Sequence, residues 1–109
     1  MFGSKLDKVA KATEKKHVNE LIKFTQDKDA SVVAAALAGL GKIADDDAFN
    51  ALIPFLSNAD ATYRAAAASA LGEQGNAHGK AFLLHAAAIE KEASVKEAME
   101  QASMKLKNY

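Results

Sequence analysis

Three histidines, His17, His78 and His85, are the side chains of this 109-residue sequence best suited to acid–base chemistry or metal binding. His78 and His85 are seven residues apart, two turns along one helix face. That distance is too great for one metal ion, because a helical ligand pair is spaced by four residues. No His-Glu dipeptide occurs, and there is no cysteine to supply a thiolate. The sequence therefore predicts no metal site and no cofactor.

Carboxylates and hydroxyls are the next candidates for chemistry, and both fit structural roles better. Asp45–Asp47 resembles a carboxylate pair, but three acidic residues at a helix start suit the positive end of the helix dipole. Ser57, Ser69 and Ser94 lie in turns or alanine-rich segments without a G-x-S-x-G motif. These observations predict that the protein is not an enzyme.

Charge distribution argues against nucleic acid and membrane partners. Fourteen basic and fourteen acidic residues cancel over the whole chain. Residues 1–28 carry seven lysines against four acidic residues, and Lys8, Lys11 and Lys15 could form a basic stripe. No aromatic residues interleave with these lysines, so a solvated helix accounts for them better. No apolar run approaches the ~20 residues of a membrane span, and we expect a cytoplasmic protein.

A repeat of 31 residues is the element that must position these side chains. The stretch Asp29–Ala44 (DASVVAAALAGLGKIA) recurs as Asp60–Gly75 (DATYRAAAASALGEQG) and, degraded, as Glu92–Leu106 (EASVKEAMEQASMKL). Equivalent positions in each copy follow the i, i+3, i+4, i+7 spacing of one helix face. Most of these positions hold Gly or Ala, so another helix axis can approach closely. The positions expected to be buried at these crossings are Gly39, Ala70 and Ala102.

A second helical pattern precedes each copy, so the repeating unit is a helix pair of about thirty residues. One pair cannot bury its apolar face alone, and stacking must complete the core. The pattern predicts one domain over 1–109, with a capping helix at 1–16 and helix pairs at 17–44, 45–75 and 76–109. The first and last helices are dense in charge, which is typical of a complete capped stack. The seven expected helices lie near 4–15, 17–26, 30–44, 46–57, 61–74, 77–90 and 93–107.

The second copy resembles the second helix of a HEAT repeat. Tyr63-Arg64 stands in that family's "VR" place and Leu71-Gly72 in its "LG" place, after an N-terminal Asp60. The short repeats of phycobilisome lyases, which are HEAT-like, are the closest in kind. The resemblance implies an all-α fold, a short right-handed α-solenoid of about three and a half helix pairs.

In such a stack the second helices would line an inner surface for a protein partner. A helical wheel places one ridge there, formed by Val33, Leu37, Arg64, Ala68, Lys96 and Glu100. The competing interpretation is that Val33 and Leu37 pack against flanking helices, and that Arg64 pairs with an aspartate between repeats.

By analogy with this fold, the expected function is a non-enzymatic protein–protein interaction module or scaffold, either a monomer or a weak homodimer. Two alternatives remain open. The chain could be an accessory subunit of an enzyme complex of the bilin-lyase type, or a homodimerising structural protein.

Overall fold

The computed structural model describes residues 4–108, which are helical and contain no β-strand. The predicted all-α fold and its seven helices are confirmed within this range, although the outermost parts of the predicted domain, residues 1–3 and 109, lie outside it. One short 3₁₀ segment accompanies the α-helices. The elements are α1 (Lys5–Glu14), α2 (Val18–Phe24), α3 (Ala30–Gly41), α4 (Asp46–Leu52), the 3₁₀ segment (Ile53–Ser57), α5 (Ala61–Gln74), α6 (Gly79–Ile89) and α7 (Ala93–Met104).

Side-chain caps fix where the repeated helices begin. The Asp29 carboxylate accepts the N–H of Ser31 at 2.9 Å, and the Asp60 carboxylate accepts the N–H of Thr62 at 2.8 Å. Each bond satisfies one of the N–H groups that a helix leaves unpaired in its first turn. Glu92, which precedes α7, makes no such side-chain bond. The predicted aspartate caps are therefore confirmed, and glutamate is the weaker substitute.

The helices form two layers. The second-helix layer contains α1, α3, α5 and α7, each in contact with the next. The first-helix layer contains α2, α4 with its 3₁₀ segment, and α6. The core between the layers is dominated by leucine, and its largest fully buried side chains include Leu21, Leu37, Leu40, Leu52, Leu71, Leu83 and Met99. This arrangement is the stack of helix pairs that the repeat predicts.

Small residues lie where neighbouring second helices cross. A Cβ atom added at Gly41 would lie 2.8 Å from both Cα and Cβ of Ala70, and one added at Gly72 would lie 3.0 Å from Cβ of Ala102. The distances at Gly41 leave no room for a side chain, and an added Cβ at Gly72 would force Ala102 to shift by a few tenths of an ångström. The positions predicted to be buried at crossings, Gly39, Ala70 and Ala102, are all buried.

Pro54 interrupts the second helix of the first-helix layer. Helix α4 stops at Leu52, and the chain continues as the 3₁₀ segment that contains the proline. Proline has no N–H to donate and its ring clashes with the preceding turn, so the α-helical pattern is interrupted there. The helix expected to reach residue 57 is thus divided into two parts.

Candidate partner-binding surfaces

Half of the predicted ridge lies in the core. Val33 is 1% exposed, and Leu37 and Ala68 are fully buried, so none of the three offers a surface to a partner. The reason is that α3 and α5 each contact a second helix on both sides and the first-helix layer beneath. Positions that the wheel turns away from the stacking face therefore pack into the core. Lys96 and Glu100 are exposed on α7, the last helix of the layer.

Arg64 joins two successive inter-helix turns. Its Nε and Nη2 atoms donate to the two carboxylate oxygens of Glu90 at 2.8 and 3.0 Å. Its Nη1 atom donates to the backbone oxygens of Asn58 and Ala59 at 2.8 and 3.1 Å. An ion pair between repeats was the competing interpretation, but its acceptor is a glutamate rather than an aspartate. The guanidinium is committed to these contacts and is not a free fork for a partner's carboxylate.

Both members of this pair are held in their charged forms. The hydrogen bonds from Arg64 lower the pKa of Glu90 below its ordinary value of 4.5, and the backbone N–H of Glu92 adds to the effect. The same hydrogen bonds raise the pKa of Arg64. The Glu90 side chain is only 4% exposed, so its charge depends on Arg64 for compensation.

The turn that Arg64 holds is repeated along the stack. The side chains of Asp27, Asn58 and Glu90 each accept the N–H two residues further on, at 2.8, 2.8 and 3.1 Å. Lys5 of α1 contacts Asp27 at 2.9 Å, as Arg64 of α5 contacts Glu90. A basic residue on a second helix thus reaches the acidic turn of the next repeat in two places.

The other candidates for chemistry have structural partners. The Asp45 carboxylate accepts the N–H groups of Asp47 and Ala48 at 2.7 and 3.1 Å and caps α4, as expected for this acidic cluster. His78 contacts Asn76, and His17 lies 3.6 Å from Glu20. Within residues 4–108, no group of three or more His, Asp or Glu side chains is placed to hold a metal ion.

Two surface grooves within residues 4–108 have partly apolar linings that suit a partner. The second-helix groove, about 580 Å³, lies between α1 and α3 and is lined mainly by small side chains. Leu6 forms one edge and is 48% exposed, and Ala10, Ala35 and Ala38 form much of the lining. Because these residues are small, they do not fill the space between the two helices. The stripe of Leu6, Val9, Ala10 and Thr13 contributes the α1 wall.

The first-helix groove, about 470 Å³, lies between the 3₁₀ segment and α6. Ile53 and Leu56 line one wall, and Phe82 and Ile89 line the other. The Arg64–Glu90 pair and Lys91 close one end. Sequence reasoning did not find this groove.

A model of the family described as HEAT repeats matches residues 18–103, from α2 almost to the end of α7. A comparison with curated proteins gave no match. In the part of the chain that the structure describes, no helix is long and apolar enough to cross a membrane.

Proposed function

Because this chain belongs to the HEAT repeat family, whose repeats commonly mediate protein–protein interactions, we propose that it is a non-enzymatic module that holds a protein partner on its second-helix face. This face consists of the exposed surfaces of α1, α3, α5 and α7. The observation that carries the proposal is the second-helix groove between α1 and α3. We expect the partner to contact this groove rather than the buried ridge residues Val33, Leu37 and Ala68.

The chemistry of this groove fits an apolar side chain on a partner helix or extended segment. Leu6 and the neighbouring alanines provide an apolar lining, and Glu14 and Lys42 supply a charge of each sign. A partner that places one apolar anchor between α1 and α3 removes the exposed half of Leu6 from water. The opposite charges at Glu14 and Lys42 favour a partner that also carries both signs.

The exposed ridge members lie at the end of the stack. Lys96 and Glu100 are both exposed on α7, four residues apart and so on one side of that helix. They occupy the wheel positions of Val33 and Leu37, which are buried on α3, and are exposed because no later helix of residues 4–108 covers α7. A partner segment that extends from the second-helix groove around this end of the stack would meet the charged pair.

A change at Ala38 tests the proposal without disturbing the core, since Ala38 is exposed and lines the groove. Ala38→Glu should weaken binding of a partner captured by the wild type by about 1–3 kcal/mol. Leu84→Glu is the matched control, because Leu84 is 49% exposed but lies on the first-helix layer. Circular dichroism should show that both variants keep their helicity.

The comparison must be made on one identified partner with purified proteins. Wild type and Leu84→Glu should bind it with the same dissociation constant, measured by calorimetry. If Ala38→Glu also binds that partner with unchanged affinity, the second-helix groove is not the binding site and the proposal fails.

The proposal also includes two expectations from the sequence. These are the cytoplasmic location and the likeness to the short repeats of phycobilisome lyases. An accessory role in a bilin lyase requires binding of a tetrapyrrole, which an absorbance titration measures directly. We expect no spectral shift, and a saturable shift at one molar equivalent would favour the accessory-subunit alternative instead.

A further inference from the structure

The outer surface of α6 differs from that of the two earlier helices in its layer. On α2 and on α4 with its 3₁₀ segment, the exposed positions are mostly polar or charged: Asn19, Glu20, Lys23, Asp46, Asp47, Asn50 and Ser57. On α6 they are Ala81, Phe82, Leu84, His85, Ala88 and Ile89, and no charged residue occurs between Lys80 and Glu90. Among the residues that the structure describes, three of the five exposed large hydrophobic side chains lie on this one helix. A concentration of this kind marks an interaction surface.

Two of these three residues face the same groove. Phe82 is 48% exposed and Ile89 is 68% exposed, and both line the first-helix groove opposite Ile53. They are seven residues apart, so they lie on one side of α6 two turns from each other. Leu84 has an equal exposure of 49% but lies about 150° around the helix from them.

We propose that a second copy of this chain covers the first-helix groove, with the two α6 helices antiparallel about a two-fold axis close to His85. The spacing supports this arrangement, because Phe82 and Ile89 are equally distant from the midpoint between residues 85 and 86. Each copy's Phe82 then lies beside the other copy's Ile89. A two-fold interface requires this reciprocity, in which residue i contacts j and j contacts i.

The charges that flank the two ends of α6 are complementary in the antiparallel orientation. The exposed Asp46 and Asp47 begin α4, beside the start of α6, where the rings of Phe49 and Phe82 are 6.2 Å apart. The exposed Lys91 lies at the opposite end. Antiparallel pairing brings Lys91 of each copy toward the acidic end of the other, whereas parallel pairing sets like charges side by side.

Other charges near the ends of α6 already have partners within each copy. Arg64 contacts both Glu90 and Glu92, and Lys80 donates to the Leu106 carbonyl and the Asn108 side chain. The formal net charge of the whole chain is zero, so two copies have no long-range repulsion to overcome. The contact surface is one eleven-residue helix and a groove wall. It is small beside the roughly 1,200–2,000 Å² of stable interfaces, so the dimer should dissociate on dilution.

Cross-linking tests the position of the two-fold axis, because the chain has no cysteine of its own. A residue next to the two-fold axis lies beside the same residue of the second copy. His85→Cys should therefore form a covalent dimer under mild oxidation. Leu84→Cys is also exposed but faces away from the axis, so it should associate like the wild type without forming a covalent dimer. Dimer from Leu84→Cys at the same rate, or none from His85→Cys, would overturn the arrangement.

Sedimentation equilibrium tests the association itself. The wild type should shift from monomer toward dimer with rising concentration, and Ile89→Glu should raise the dissociation constant at least about tenfold. Leu84→Glu should leave it unchanged. All three proteins should melt cooperatively by circular dichroism, since both positions are exposed. A wild type that remains monomeric up to about 1 mM rejects the second copy as occupant and leaves the groove to an unlike protein.

Discussion

Gly41 and Gly72 are conspicuous because glycine is normally a poor choice inside a helix. Replacing glycine with alanine in a helix interior ordinarily stabilises it by about 1 kcal/mol. Here the added Cβ at Gly41 would meet the backbone and Cβ of Ala70 at 2.8 Å, and backbone atoms cannot move aside cheaply. The close crossing of α3 and α5 therefore reverses the usual preference.

Gly41→Ala should consequently lower the free energy of unfolding by about 1–3 kcal/mol through overpacking. Ala38→Gly, on the exposed side of the same helix, is the control and should cost about 1 kcal/mol through helix propensity alone. Urea denaturation measures both. A gain in stability for Gly41→Ala would show that the two helices are free to separate.

Lys16 has an unusual backbone conformation for a residue with a side chain. Its φ is 60°, in the left-handed region, where the chain turns out of α1. The N–H of His17 bonds to the carbonyl of Ala12 at 2.8 Å, and that of Lys16 to Thr13 at 3.1 Å. This is the helix-ending motif in which glycine is preferred. Lys16→Gly should therefore stabilise the protein by about 1 kcal/mol.

Thermal or urea unfolding detects this gain, and Lys16→Ala separates it from the loss of the lysine charge. Alanine keeps a Cβ atom, so the backbone strain remains and no comparable gain is expected. Equal stabilisation by alanine and glycine would mean that charge, rather than φ, is responsible.

At the level of elements, the sequence predicts the helices well because the apolar period of each copy is clear. Their ends are less well predicted: α3 stops at Gly41 rather than near residue 44, and α6 starts at Gly79 rather than near 77. Near the start of α6, the Asn76 side chain accepts the N–H of His78 at 2.9 Å and forms a turn first. Asparagine is a signal for such a turn, and the helical pattern concealed it.

Three of the six ridge residues are buried for a reason that a helical wheel cannot reveal. A wheel gives the direction of a side chain around its own helix but not which neighbours lie in that direction. Val33 and Leu37 lie on a helix that is apolar on nearly all sides, so the sequence could not distinguish core from inner surface. Glu90 was also missed as the partner of Arg64. The third copy begins 32 residues after the second rather than 31, so the 31-residue spacing from Asn58 leads to Ile89 instead of Glu90.

The link between Arg64 and Glu90 gives the stack a defined response to acid. The folded-state pKa of Glu90 lies below its ordinary value of 4.5, so its contribution is fully present above about that pH. The contribution is lost as the pH falls from that value through the folded-state pKa, because in this range the unfolded chain binds a proton that the folded chain does not. The pKa values of Asp27 and Asp29 are also lowered, and they act in the same direction.

Arg64→Met should invert this response at one site. The substitution removes the cation that pairs with Glu90. Because the Glu90 side chain is only 4% exposed, burial then raises the pKa of its carboxyl group. The variant should be less stable than the wild type at pH 7 and recover part of the difference near pH 5. The double variant Arg64→Met with Glu90→Gln should lack that recovery. Equal pH profiles for the single and double variants would contradict the assignment.

At the level of the whole molecule, stability depends on neighbours rather than on isolated helices. Val9 and Ala12 of α1 are each only 2% exposed, and α1 contacts both α2 and α3. Removing residues 1–16 uncovers the apolar side of the next pair. We expect the truncated chain to aggregate or to lose cooperative unfolding, as analytical size exclusion and thermal melts would show. A soluble, monomeric truncation of equal stability would contradict the role of α1 as a cap.

The identity of residue 104 affects where a further repeat unit can be added to the stack. Gly41, Gly72 and Met104 are equivalent positions in the three copies, and Met104 is 79% exposed at the outer side of α7. Consider a further helix that packs on α7 in the way that α7 packs on α5. It would contact the Met104 side chain, at the position where the earlier copies have a glycine. Unequal recombination that duplicates residues 30–60 inserts a compatible unit between existing ones. A unit packed on α7 in the same way would instead have to accommodate the Met104 side chain at the crossing.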